Sequence, residues 1–307
     1  MAHHFFAAHL SKEALDLMRS LKPENPALGG LAEAFTDNTL RVQTMSSMVQ
    51  ELCKQTLSTS MSFIHIIGMA GSPEKMMEIF AMPGKAKEFA EKLVEISGQL
   101  PAESITAMTE MAFALAPSIR YGVNGVLDSM VVSAWTAFEV MAGDLWETAL
   151  NDHPKYLASL SSDGLKELKL SYLERNDYDL RKKMGSIHRD VGTYKFQILT
   201  GEKGIQRAYK DAFHKDGDRV RAAISNKAFE ALAVIRNILV HKQGKADRKF
   251  LKECKGLPGM EKWAALNEGD KIQLQGEDVG SLVSASFIGG CALISAVDEW
   301  LTAHPSS

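Results

Sequence analysis

Apolar residues recur at intervals close to 3.6 along most of this sequence, and that spacing is the strongest constraint on its fold. Between Thr39 and Met61 they form one stripe, made of Leu40, Val42, Met45, Met48, Val49, Leu52 and Leu57. The stripe is typical of an amphipathic α-helix. Only 9 of the 307 residues are Pro, while Ala, Leu, Met, Glu and Lys are plentiful, which favours helix over sheet. The sequence therefore predicts an all-α protein.

The length of 307 residues fits two domains. Pro117, Gly122 and Gly125 cluster where a boundary is expected. We therefore divide the chain into residues 1–120, a helical regulatory or partner-binding module, and residues 121–307, a second helical domain. Eleven of the 15 Met residues lie at or before Met111. Met fills irregular cores and also suits adaptable contact surfaces, so both roles stay open for the first module.

Capping and stop signals divide the chain into helical segments. Ser11 is expected to cap a helix through Arg19, which Pro23 and Pro26 stop. Polar and apolar residues alternate briefly over residues 269–274, which predicts a short strand or extended segment. Further helices are predicted at Val126–Leu150, Leu165–Met184, Ile187–Leu199, Ile205–His214, Arg219–Val240 and Val279–Leu301.

Several features predict a cytoplasmic protein that neither spans a membrane nor binds a metal or cofactor. The first ten residues lack the charged and apolar regions of a secretory signal. The most apolar stretch, Leu282–Val297, is diluted by Ser and Gly and has acidic flanks, so it predicts a buried helix. Three widely spaced cysteines, Cys53, Cys254 and Cys291, favour neither a disulfide framework nor a zinc site. His3, His4 and His9 form only a weak metal motif near the terminus.

The net charge of −3 conceals a strongly basic segment. Residues 181–260 hold 19 Lys and Arg against 8 Asp and Glu. A basic segment in an acidic chain suggests an anionic partner such as nucleic acid. Ordinary solvated helix faces are the alternative explanation. His188 and His214 also lie in this segment, where they either contact RNA or are simply surface histidines.

Three polar residues lie at the end of the apolar helix predicted over Arg219–Val240. Asn237 and His241 are four residues apart and share a helix face. Arg236 is offset from Asn237 by about 100°, but its long side chain reaches the same region. We therefore expect Arg236, Asn237 and His241 to converge, with Gly244 ending the helix.

This motif resembles the R-x4-6-H signature of the HEPN superfamily, with the frequent Asn after the Arg. The resemblance covers residues 121–307 and includes features on both sides of the motif. The resembling residues are Phe138, Glu139, Asp144 and Trp146 upstream, and Gly244, Asp247, Gly269, Asp270, Ile272, Leu274, Asp278 and Val279 downstream. The resemblance implies a HEPN-like helical bundle preceded by the N-terminal helical module.

The resemblance also implies metal-independent endoribonuclease activity in a defence, stress or toxin setting. Arg236, Asn237 and His241 are the implied catalytic residues, and Glu139 and Asp144 the implied supporting ones. Family members commonly form homodimers in which two motifs face each other. RNA, a second copy of the chain and a possible antitoxin or regulatory protein are therefore the expected partners.

Four basic residues follow the motif and are expected to rim the cleft and bind the RNA backbone: Lys242, Lys245, Arg248 and Lys249. Structural roles remain open for the motif itself. His241 suits the negative end of the helix dipole, and Arg236 could pair with Glu139, Asp144 or Glu230. The alternative function is therefore a noncatalytic nucleotide-binding or protein-interaction module.

Overall fold

The computed structural model describes residues 8–45, 47, 117–154, 171, 174, 184–190, 192 and 194–304. Within these residues all regular secondary structure is helical, apart from one isolated β-bridge between Lys245 and Lys271. The predicted all-α class is therefore confirmed. The predicted helix at Leu165–Met184, the Thr39–Met61 stripe beyond residue 47, Cys53, His3 and His4 lie mostly or wholly outside the described residues.

Ten helices follow one another in the described part of the chain. The first two are α1 (Lys12–Ser20) and α2 (residues 26–45). The others are α3 (Pro117–Asp152), α4 (Met184–Asp190), α5 (Ile205–Ala212), α6 (Asp218–Ile224), α7 (Lys227–Lys242), α8 (Arg248–Cys254), α9 (Glu261–Ala264) and α10 (Gly276–Ala303).

The start of α1 is the predicted one, but Pro26 has a different role from the one expected. The Oγ atom of Ser11 accepts a hydrogen bond of 3.2 Å from the N–H of Ala14, so Ser11 is the N-cap. Pro26 begins α2 instead of stopping α1, because Pro is compatible with the first helical position. Asn25 caps α2 by accepting the N–H of Ala27 at 2.9 Å.

The prediction of one helix over Arg219–Val240 is wrong, because the helix is interrupted at Ser225 and Asn226. Asn226 has an extended backbone, and its side chain accepts the N–H of Ala228 at 2.9 Å. This local bond competes with helix continuation, so Asn226 caps α7. The apolar periodicity continues across the interruption, because α6 and α7 both pack their apolar faces against α10.

The prediction of a helix over Ile187–Leu199 is also wrong beyond Asp190. After α4 the described residues 194–204 form turns, and the N–H of Lys195 donates to the carbonyl of Lys203 at 2.6 Å. The aromatic residues of this segment still enter the core, where Tyr194 and Phe196 contact the ring of Trp146. Their burial depended on tertiary packing rather than on helical period.

Helix α10 lies at the centre of the fold, packed against α1, α3, α6 and α7. Its small residues allow close approach of neighbouring rings. A Cβ at Gly289 would be 2.9 Å from Cζ of Phe229, and one at Gly290 would be 2.5 Å from Cζ of Phe35. The glycines that dilute this apolar stretch in the sequence are therefore the positions where α7 and α2 contact it.

Two described helices are long and apolar enough to cross a membrane, judged by length and composition alone: Tyr121–Asp152 in α3 and Gly276–Ala303, which is α10. The core helix of a helical protein meets the same criteria. In α10, 72% of the apolar window is buried inside the fold, as the sequence predicted for a buried helix.

The N-terminal segment, residues 8–45, packs on α10 and shares its core. The N–H of Ser11 donates to Oγ of Ser284 at 2.8 Å, and the rings of Phe35 and Phe287 stack with centroids 5.2 Å apart. These residues belong to the predicted N-terminal module. The proposed boundary near residue 120 is separated from them by undescribed residues, so the division into two domains stays a prediction.

Candidate active site at the end of α7

A tight turn ends α7 directly after the motif. Gln243 and Gly244 both adopt positive φ, 54° and 74°, and the N–H groups of both donate to the carbonyl of Ile238. This arrangement satisfies a carbonyl that the helix end would otherwise leave unpaired. It also stops the helix one turn beyond Asn237, so His241 lies in the last turn and faces solvent.

The three motif residues converge as the helix geometry predicted. Nη1 of Arg236 donates to Oδ1 of Asn237 at 3.0 Å. The same nitrogen lies 3.5 Å from Nε2 of His241, at the limit of a hydrogen bond. Asn237 and His241 are exposed, whereas Arg236 is half-buried. One guanidinium therefore contacts both an amide and an imidazole on an accessible helix end.

Glu139 on α3 is the carboxylate that acts on Arg236. Its Oε2 atom accepts a hydrogen bond of 3.0 Å from the indole Nε1 of Trp135. Partial burial raises the pKa of Glu139, while the Trp135 bond and the charge of Arg236 oppose that rise. Nε of Arg236 is itself buried and has no hydrogen-bond partner among the described residues. The inner side of the guanidinium thus lies in a sparsely solvated environment, where charge interactions are strengthened.

The other two carboxylates considered for Arg236 bind different cations. Asp144, an expected supporting residue, accepts a hydrogen bond of 2.6 Å from Arg189. Glu230 accepts one of 2.7 Å from Lys227 at the start of α7. Asp144 and Glu230 are therefore paired elsewhere, and Glu139 is the one of the three whose pKa the charge of Arg236 lowers.

The predicted phosphate-binding residues are all exposed, and three of them form surface ion pairs with described carboxylates. Lys242 lies 3.8 Å from Asp247, Arg248 lies 2.8 Å from Glu268, and Lys249 lies 3.7 Å from Glu253. Exposed pairs of this kind contribute little to stability, so an RNA phosphate can displace the carboxylates at small cost. The fourth residue, Lys245, lies in the β-bridge.

Lys271 is a candidate that sequence reasoning missed. The bridge places it opposite Lys245. Burial raises the pKa of Asp128 on α3, and the charge of Lys271 partly opposes that rise. Residues 271–276 alternate between exposed and buried. That alternation was visible in the sequence, but the partner of the extended segment was not.

The remaining candidate residues lie in other environments. His188 is 5% exposed, and burial lowers its pKa. His214 is exposed, with Nδ1 2.9 Å from the carbonyl of Asp211. Burial raises the pKa of the Cys254 thiol to about 11 and that of Cys291 to about 12, so both thiols stay protonated near neutral pH. Among the described side chains, no group of three or more His, Cys, Asp or Glu is arranged to hold a metal.

No match to this chain was found. Comparisons with protein-family models, with curated proteins and with solved structures all gave none. The likeness to a ribonuclease superfamily inferred from the motif therefore stays a prediction, and the function has to be argued from the residues themselves.

Proposed function

We propose that this protein is a metal-independent endoribonuclease of the HEPN type. The observation that carries the proposal is the contact of Nη1 of Arg236 with both Asn237 and His241 on the exposed end of α7. A cation for a phosphate and an imidazole for proton transfer are thereby within reach of one bound phosphodiester. We extend the proposal to a defence, stress or toxin setting on the family resemblance alone.

The chemistry needs no external nucleophile, because RNA carries a 2′-hydroxyl beside each phosphate. A base removes the 2′-hydroxyl proton, the 2′-oxygen forms a bond to phosphorus, and the bond from phosphorus to the 5′-oxygen breaks. An acid then protonates the leaving 5′-oxygen. The products are a 2′,3′-cyclic phosphate and a 5′-hydroxyl.

Each motif residue has a role that its contacts allow. Nε2 of His241 lies 3.5 Å from Nη1 of Arg236, and an imidazole nitrogen with a free lone pair can accept the 2′-hydroxyl proton. Arg236 stabilises the negative charge that builds on the phosphate oxygens. Asn237 accepts the Arg236 hydrogen bond through Oδ1, which leaves its amide N–H groups to donate to a phosphate oxygen.

One motif supplies one imidazole, whereas the reaction uses a base and an acid. We propose that a second copy of the chain supplies the other, in a homodimer with its two-fold axis near His241. Val140 and Val240, which neighbour Glu139 and His241 in sequence, are 43% and 46% exposed. A second copy would cover these apolar side chains. An excess of His241→Ala protein added to wild type should then lower the activity of the wild-type protein, because mixed dimers contain a single His241 imidazole.

The decisive experiment incubates the purified full chain with single-stranded RNA in EDTA. Cleavage should persist, produce cyclic phosphate ends, and fall at least about 100-fold in His241→Ala and Arg236→Ala, in line with losing a proton-transfer or charge-stabilising group. His214→Ala is the matched control, since His214 is an exposed histidine of the same basic segment. Activity in His241→Ala equal to that of His214→Ala would contradict the proposal.

A substrate variant tests the chemistry independently of the protein variants. An RNA with a single 2′-deoxy nucleotide at the mapped cleavage position should resist cleavage there, because the attacking oxygen is missing. Cutting at that position with unchanged rate would require water as the nucleophile and would exclude the proposed mechanism.

A noncatalytic binding module is the second candidate function. His241 lies in the last turn of α7, where a basic residue stabilises the helix dipole without any chemistry. RNA binding without cleavage by the wild-type protein, together with a lower melting temperature in His241→Ala, would favour this role.

A further inference from the structure

Lys245 and Lys271 face each other across an isolated antiparallel β-bridge. The hydrogen bonds flank them: Ala246 N–H donates to the carbonyl of Asp270, and Ile272 N–H donates to that of Gly244, both at 2.8 Å. The two lysines thus form the non-hydrogen-bonded pair, the kind whose Cα atoms are closest, about 4.5 Å apart. Both side chains are exposed.

This pairing is unfavourable for the fold taken alone. Like charges directly opposite one another on neighbouring extended segments destabilise the pairing. A single anion between the two ammonium groups converts this repulsion into two attractions. The bridge therefore has the charge arrangement of an anion site.

The aliphatic part of the Lys271 side chain lies beside the turn that ends α7. Its Cγ and Cε atoms each lie 3.8 Å from the position of a Cβ built on Gly244, the third residue after His241. Its charge also reaches the half-buried carboxyl group of Asp128 on α3. The side chain therefore lies between the turn that ends α7 and the surface of α3.

Two carboxylates on α3, Asp128 and Glu139, relate the position of Lys271 to that of the motif. Asp128 and Glu139 are separated by eleven residues, which is three turns plus about 20°, so both lie on one face about 16 Å apart. Glu139 acts on Arg236, and Asp128 is acted on by Lys271. The two carboxyl groups whose pKa values these cations lower thus share one face of α3.

We propose that Lys271, together with Lys245, binds a backbone phosphate of the RNA close to the scissile one. The inference rests on the proposed nuclease function and extends it to the path of the substrate strand. The bound chemistry is a phosphate diester, which the test distinguishes from free phosphate.

Binding is measured by the anisotropy of a short fluorescent single-stranded RNA, in a His241→Ala background so that the RNA stays intact. Lys271→Met should weaken binding several-fold and reduce the slope of log K against log salt by about 0.7, the value for one lost phosphate contact on a single strand. Lys271→Arg should keep both values near those of the parent. The slope counts displaced counterions, so a merely structural role would not change it.

Two further variants complete the test. Lys245→Met should reduce the slope similarly and keep or raise the melting temperature, because it removes the like-charge pair. Lys210→Met is the matched control, since Lys210 is an exposed lysine on α5, which contacts α3 near Ala142, about four turns from Asp128. Lys210→Met should change neither the salt slope nor the melting temperature.

Distinct outcomes separate this inference from the proposed function. A Lys271→Met slope equal to that of Lys210→Met overturns the inference even if His241-dependent cleavage is established. RNA binding that depends on Lys271 in a protein that never cleaves RNA supports the binding site and overturns the nuclease. If inorganic phosphate binds in a Lys271-dependent manner while the RNA affinity and its salt slope are the same with and without Lys271, the pair is a free-phosphate site and the inference is wrong.

Discussion

The carboxylate of Asp298 on α10 accepts a hydrogen bond of 2.8 Å from the backbone N–H of Asn25, 273 residues earlier in the chain. Its other oxygen accepts the N–H of Glu24 at 2.7 Å. Asp298 is only 8% exposed. Because α2 begins at residue 26, this negative charge lies at the positive end of that helix, where it is favourable. The penultimate turn of α10 thus fixes the entry of the chain into α2.

Replacing Asp298 should weaken the attachment of the N-terminal segment. Asp298→Ala leaves two N–H groups without their charged acceptor, and we expect a loss of about 2–3 kcal/mol in the free energy of unfolding. Urea unfolding followed by circular dichroism measures it. The neighbouring Glu299→Ala removes an exposed ion pair with Arg219 and should cost less than about 1 kcal/mol. Equal losses in the two variants would show that Asp298 has no special role.

Asn226 should contribute to stability through its side chain. Asn226→Ala removes the cap of α7 and is expected to cost about 1 kcal/mol, whereas Asn226→Asp keeps an acceptor for the Ala228 N–H and should cost less. Urea unfolding of the full chain measures both free energies. An alanine variant as stable as the parent would indicate that α6 and α7 can merge into the continuous helix that the apolar period suggested.

Glu139 should be important for activity but unfavourable for stability near neutral pH. Glu139→Gln keeps the shape of the side chain and removes the charge that acts on Arg236, so we expect cleavage to fall about 10-fold or more. Glu299→Gln, at an exposed glutamate on α10, is the control for removing a surface charge. Unchanged RNA cleavage by the Glu139→Gln variant would show that Arg236 is positioned without this carboxylate.

The stability effect of Glu139 should depend on pH in a defined direction. Burial raises its pKa on folding, so the folded state binds this proton more tightly than the unfolded state. The wild type therefore loses stability as pH rises from the ordinary glutamate pKa through the raised folded value, whereas Glu139→Gln does not. Thermal melts at about pH 4 and about pH 7 should show the variant gaining relative to wild type at the higher pH. A constant difference would contradict the raised pKa.

The buried thiols should be inert in the folded protein. In a Cys53→Ala variant the remaining thiols, Cys254 and Cys291, are buried and have pKa values raised to about 11 and about 12. Iodoacetamide should therefore label neither in buffer and both after unfolding in urea, because only the thiolate reacts. Mass spectrometry counts the labels. Labelling of folded protein at the unfolded rate would be incompatible with this burial.

Much of the fold and the inner part of the site could be predicted from the sequence, because both depend on short-range geometry. The 3.6 period identified the helical class, and Ser11 marked the start of α1 through a bond to a residue only three positions away. The meeting of Arg236, Asn237 and His241 is also local, since all three lie within the last two turns of α7. Side chains this near to one another on a helix contact each other regardless of the surrounding tertiary structure.

Tertiary structure alone decided which distant groups join that local cluster. Period and capping signals did not specify that the charge of Arg236 would act on Glu139 while Asp144 binds Arg189, or that Lys271 would lie opposite Lys245. They also did not specify that Asp298 would hold the start of α2. These contacts join segments far apart in sequence, and their formation depends on how helices pack, which is determined by the combined fit of buried side chains and not by any short stretch of residues.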